Sequence, residues 1–150
     1  MNDSAVSVNY IKTGFHADSK EEILMDLSKR AVELGIADDV QETYQGFLDR
    51  EKEVSTGFTD GFAIPHTRCG SIRKTGVLIT TTTPGVEWPS MDGEPTTFII
   101  ALLVPGGDGG AEHMKLLSSI SRSLVNKDFR NQLKKEESPE EICESLKNVI

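Results

Sequence analysis

The spacing of apolar positions changes several times along the chain, and each change predicts an element. Val6, Val8 and Tyr10 alternate with Ser7 and Asn9, the period of a short opening strand. The spacing then lengthens: Ile23, Leu24, Leu27, Ala31 and Leu34 fall on one helical face. Ser19 followed by Glu22 makes a capping-box pattern ahead of that helix, and Gly35 supplies its stop. A second helix is predicted from near Asp39 to about Glu53, with Val40, Tyr44, Phe47 and Leu48 turned inward.

The middle of the chain changes character. Phe62-Ala63-Ile64 is a short extended segment, and Pro65, which has no N–H for a ladder, argues against its continuing as a central strand. Residues 77–82 and 96–104 are rich in β-branched side chains and predict two strands in the interior of a sheet. Asp92-Gly93 marks a turn in the hairpin-like excursion between them. Pro105-Gly106-Gly107-Asp108-Gly109-Gly110 breaks the chain before a third helix, in which His113, Leu116, Leu117, Ile120 and Leu124 share a face. Asn126 can cap a continuation carrying Phe129 and Leu133. Ser138-Pro139-Glu140-Glu141 launches the last helix, through Ile142, Leu146 and Val149. Central strands flanked by helices predict one α/β layered domain over residues 1–150.

Composition narrows the function classes. The 150 residues suffice for one domain with its own core. Acidic residues outnumber basic ones 24 to 16, for a net charge of −8. A nucleic-acid or anionic-membrane partner would favour the opposite balance. The longest strongly apolar run, 98–104, falls far short of the roughly 20 residues of a membrane-spanning helix. The N-terminal Met1-Asn2-Asp3-Ser4 has no signal-peptide character, and the two cysteines, Cys69 and Cys143, form no Cys-x-x-Cys pair. The expectation is a reduced, cytoplasmic protein.

Of the three histidines, His16 lies in a polar loop and reads as a surface residue. His66 follows Pro65 where an apolar segment turns polar, at a strand end facing a cleft. The pattern alone leaves it structural or functional in equal measure. His113 stands in the first turn of its helix, in register with the apolar face, so it points to the core or to a cleft at the core's edge. The glycines before it suit an anion, yet no Lys-Ser or Lys-Thr follows to complete a nucleotide-binding loop. Arg50, near the end of the second helix, has the planar fork that suits phosphate; its plain alternative is a solvent-screened ion pair. His66 and Cys69 lack the second ligand pair of a zinc site, and there is no Gly-x-Ser-x-Gly elbow.

Asp49-Arg50-Glu51, Ser55-Thr56-Gly57, Gly61-Phe62-Ala63-Ile64-Pro65-His66 and Glu112-His113-Met114-Lys115-Leu116-Leu117 occur in that order. In this the chain resembles, over nearly its whole length, the enzyme IIA domain of the bacterial phosphoenolpyruvate-dependent sugar phosphotransferase system, fructose/mannitol class. The resemblance implies a mixed β-sheet sandwiched between helices, the phosphotransferase/anion-transport-protein-like layered domain. It implies a phosphohistidine at His66, formed on Nε2, with Arg50 close by and His113 facing it across the cleft. Thr56 is a further candidate hydroxyl for the phosphoryl oxygens. The implied donor is the histidine-containing phosphocarrier protein, and the implied acceptor is a cysteine of enzyme IIB, with the membrane enzyme IIC downstream. No metal or nucleotide cofactor is implied. The family places the acceptor cysteine on the partner, so Cys69 reads as incidental, with a place at the cleft rim as the alternative; Phe58 and Phe62 are candidates for an apolar docking rim or for the core, and core is the favoured reading for Phe62. Thr59, Phe62 and Thr67 depart from the family's usual small, aliphatic and glycine residues, which leaves subfamily and sugar open. The alternative is a regulatory, nitrogen-type IIA that is phosphorylated but acts by binding other proteins.

Overall fold

The two β-branched segments form the middle of the molecule, as their composition predicts. In the computed structural model, which describes residues 5–106 and 110–150 (side chains of 110–113 excepted), the chain runs β1 (Ile11–Phe15), α1 (Lys20–Glu33), α2 (Val40–Glu53), β2 (Phe62–Ala63), β3 (His66–Cys69), β4 (Gly76–Val86), β5 (Thr96–Pro105), α3 (Gly110–Val125), α4 (Lys127–Lys135) and α5 (Pro139–Lys147). β4 and β5 pair antiparallel, β1 lies parallel to β4, and β2 and β3 both lie parallel to β5. The result is a mixed sheet with β2 and β3 sharing one edge.

Alternation along β5 divides the core. Phe98, Ile100 and Leu102, with Phe62 and Ile64, face Leu116, Ile120 and Leu124 of α3, Leu133 of α4, and Ile142 and Leu146 of α5. Ile99, Ala101 and Leu103, with Ala63 and Leu78, face Ile23, Leu24, Leu27 and Ala31 of α1 and Phe47 of α2. Burial on both faces is what a run of Ile, Leu and Val without polar alternation requires. The layered α/β expectation is met.

The helix starts also follow the sequence. Asp39, Asn126 and Ser138 each accept backbone N–H groups of the turn they cap, and Ser138 with Glu141 completes a capping box. At α1, Ser19 accepts from Glu22 N, but the Glu22 carboxylate reaches back one residue further, to Asp18 N. Gly35 ends that helix with φ of 78°.

Three expectations are corrected. The opening strand is displaced: Val8–Tyr10 is a single 3-10 turn closed by Tyr10 N on Ser7 O, and pairing begins only at Ile11, opposite Ile79. The alternation at Val6, Val8 and Tyr10 misleads because Val6 is buried while Val8 is exposed. On α2 the inward face is narrower than predicted: Phe47 is fully buried with Thr43, Tyr44 and Leu48 pack half-buried against the same core as expected, and Val40 is half-buried at the helix start. The last helix stops at Lys147, short of Val149. Among the described residues no helix is long and apolar enough to cross a membrane.

Candidate active site at the sheet edge

β2 and β3 are one edge strand with a gap. Both keep a single register on β5, Phe62 opposite Phe98 and His66 opposite Leu102. Pro65 lies in the gap with no N–H to give, although its carbonyl still accepts from Leu102 N at 2.9 Å. Among the described residues no strand lies beyond this edge, so the backbone of Ile64 is satisfied in other ways. Its N–H donates to Thr56 O at 3.0 Å. Its carbonyl accepts from His66 Nδ1, also at 3.0 Å.

That last contact assigns the tautomer. A carbonyl can only accept, so Nδ1 carries the proton and the lone pair of the neutral ring sits on Nε2. Arg50 Nε, which can only donate, lies 2.9 Å from Nε2 and requires the same assignment. His66 is 6% exposed, so water does not compete freely for either nitrogen. The pairing of Arg50 with His66 matches the proximity expected from the sequence.

Arg50 sits in the last turn of α2 and is half-buried; its Nη1 donates to Val54 O at 2.9 Å, closing the end of its own helix. A guanidinium carries five N–H donors in a plane, so contacts to His66 and Val54 leave capacity for an oxyanion.

Thr56 behaves differently from the expectation. Its hydroxyl is given to Glu51 Oε2, and its backbone N–H to Glu51 Oε1 at 3.2 Å. The proton expected to meet phosphoryl oxygens is therefore committed to a carboxylate. Glu51 is the residue whose role the sequence reading missed, although it stands beside Arg50 in the quoted Asp49-Arg50-Glu51. Its side chain is 5% exposed, and Oε1 lies 3.7 Å from Lys20 Nζ. His113 belongs to the first turn of α3, and its side chain lies outside the described residues.

The other face of β3 looks away from the histidine. Thr67 and Cys69 pack towards α2 at Gly46, where a Cβ would stand 2.1 Å from Thr67 Oγ1. Cys69 Sγ lies 3.5 Å from Ser71 Oγ. Strand alternation thus puts Cys69 on the opposite side from His66. Phe62 is fully buried with its ring 5.0 Å from that of Phe98, which places it in the core, the reading its sequence favoured over the docking rim. Phe58 is half-buried, and Val54, 61% exposed beside Arg50, is an apolar surface residue that the sequence reading did not name.

The loop that delivers β2 is anchored from two sides. Asp60 adopts φ of 61°, unusual for a residue with a Cβ. Its carboxylate meets Arg130 Nε at 3.1 Å and Lys134 Nζ, and these two cations hold its pKa below the usual range. Asp92 accepts Asp60 N at 2.8 Å and Thr59 Oγ1 at 3.0 Å. Its pKa is pushed down to about 2, chiefly by the N–H groups of Asp60 and Glu94. Thr59, one of the departures noted above, thus fastens the loop.

A buried histidine with an oriented lone pair beside an arginine fork is an arrangement able to take and release an oxyanion-bearing group. Residues 4–149 match the family of the phosphoenolpyruvate-dependent sugar phosphotransferase system, EIIA 2. The chain belongs to this family. As an EIIA protein it is a phosphotransfer protein of that system. It is 34% identical to the fructose-specific EIIA component of Haloferax volcanii, over 86% of this chain and 81% of that one. The nitrogen regulatory protein IIA-Ntr of Neisseria meningitidis superposes with a TM-score of 0.86 at 27% identity, covering 95% of this chain and 96% of that one. The mannitol IIA of Escherichia coli, solved in complex with phosphorylated mannitol IIB, shares the fold at 23% identity, with a TM-score of 0.79 and coverage of 95% and 96%.

Proposed function

We propose that His66 Nε2 takes a phosphoryl group from the histidine-containing phosphocarrier protein and passes it to a cysteine of enzyme IIB. The observation that carries this reading is the paired contact on the ring: Nδ1–H held by Ile64 O and the Nε2 lone pair directed at Arg50. The lone pair is the nucleophile. As the Nε2–P bond forms, the donor's P–N bond breaks and the donor imidazole leaves with the electron pair. The Nδ1 proton stays on the ring, held by the Ile64 carbonyl as the ring gains positive character. The Nε–H of Arg50 exchanges the lone pair for a phosphoryl oxygen, and its fork balances the charge spread over those oxygens. In the second transfer a IIB thiolate attacks phosphorus, the P–N bond breaks, and His66 returns to its neutral tautomer. His113 is assigned to the phosphoryl oxygens on the family resemblance.

The mannitol IIA solved with its phosphorylated IIB supports the acceptor class. The site of action is cytoplasmic, with enzyme IIC downstream in the membrane, and the Haloferax relative makes fructose the first sugar to test. The second reading, a nitrogen-type regulator, is favoured by the likeness to IIA-Ntr. Incubation with labelled phosphoenolpyruvate, enzyme I and the phosphocarrier should yield an acid-labile, alkali-stable phosphate that His66→Ala abolishes. Persistence of the label in that variant would overturn the assignment. Onward transfer to a IIB cysteine separates relay from regulator.

A further inference from the structure

Arg50 and Glu51 are consecutive residues at the end of α2, and each reaches a different side of the same imidazole. Arg50 does so directly, at Nε2. Glu51 does so through the backbone: its carboxylate receives the Thr56 N–H and hydroxyl, Thr56 O receives Ile64 N, and Ile64 O receives His66 Nδ1. The antiparallel bridge between Gly57 and Ala63 ties the same two segments together. At Thr56 and again at Ile64 the N–H and the C=O belong to different peptide groups, so no amide conducts polarisation along the chain. What passes along it is position.

Burying a carboxylate needs a reason. Glu51, 5% exposed, is supported by Lys20 from α1 and by both donors of Thr56. An apolar residue would fill the space without that desolvation cost. A fixed acceptor with two oxygens does something an apolar residue cannot: it sets where Thr56 stands, and hence where the Ile64 carbonyl points.

We propose that Glu51 is a positioning residue for the phosphoryl-accepting histidine, holding the Ile64 carbonyl where it selects the Nδ1–H tautomer and leaves Nε2 as the nucleophile. This rests on the reading of His66 as the acceptor. Without the clamp the segment at Thr56 relaxes, the Ile64 carbonyl turns, and the ring proton distributes over both nitrogens. Misplacement of about an ångström at a reacting atom can cost up to about a hundredfold in rate.

Ring-nitrogen NMR of the full chain, paired with the rate of phosphoryl uptake, tests this. The native protein should show one tautomer, protonated at Nδ1. Glu51→Ala should mix the two tautomers and slow uptake roughly tenfold to a hundredfold. Glu51→Gln should restore most of both, since its amide offers an oxygen to Thr56 N and an N–H to Thr56 Oγ1. Native ring signals and a native uptake rate in folded Glu51→Ala would overturn the proposal, even if its melting temperature fell. If Glu51→Ala does not fold, Thr56→Val, which removes only the hydroxyl contact, decides: a shifted tautomer balance supports the clamp, and an unchanged one overturns it. The tautomer is read without any phosphoryl donor. Failure of native protein to label, or labelling of His66→Ala, would instead sink the acceptor assignment.

Discussion

His16 and His66 make the same first contact and have different surroundings. Each places Nδ1 against a backbone carbonyl, Thr83 O at 3.1 Å for His16 and Ile64 O at 3.0 Å for His66. His16 is exposed at the end of β1, where water can replace the carbonyl at little cost. His66 is buried, and its second nitrogen faces Arg50. A carbonyl contact therefore does not by itself set one histidine apart from the other. Burial makes the tautomer persistent, and the cation faces the remaining lone pair.

The sharpest way to break this comparison is to remove each ring in turn. His66→Ala should reduce phosphoryl labelling to background, while His16→Ala should label within about twofold of native. Equal labelling of both variants would erase the distinction. Arg50 is tested next. Loss of one donor to a developing oxyanion typically costs about a hundredfold or more, so Arg50→Ala should slow uptake by that order. Arg50→Lys should recover little, because an ammonium can meet Nε2 or Val54 O but lacks the fork that spans both.

A third test concerns the packing behind β3. Ala is favoured over Gly in a helix by about 1 kcal/mol, yet Gly46→Ala would drive a methyl into Thr67 Oγ1. Overpacking of this kind costs about 1–3 kcal/mol, so a lower melting temperature is expected. Adding Thr67→Gly should return most of the loss, a coupling that a double-mutant cycle measures. The smallest effect should come from Asp92. Its folded pKa, about 2, lies below the ordinary carboxylate value, so the stability it contributes is complete above that ordinary value and drains away as pH falls towards about 2. Asp92→Asn should flatten denaturant-measured stability between pH 4 and pH 2 relative to native.

Much of this was readable locally. Asp39, Asn126 and Ser138 announce their helices because a cap is a contact between residues two or three apart. The buried strands β4 and β5 show in their composition, and Arg50, His66 and His113 stand out in motifs. The displaced first strand was not readable, since Val6, Val8 and Tyr10 alternate as well as any strand does. Only the parallel pairing of Ile11 with Ile79, residues distant in sequence, decides where the ladder starts.

The site divides along the same line. The sequence by itself determined that a histidine after proline would end an apolar segment with an arginine upstream, because these are choices of residue. Tertiary structure decided which ring nitrogen keeps its lone pair. Ile64 is only two residues from His66, but its carbonyl can hold the ring because β2 and β3 form the sheet's edge, and edges exist only once strands have paired. It also decided that Thr56 serves Glu51 and that Gly46 makes room for Thr67. Each of these depends on what a side chain meets across space, which spacing along the chain does not encode.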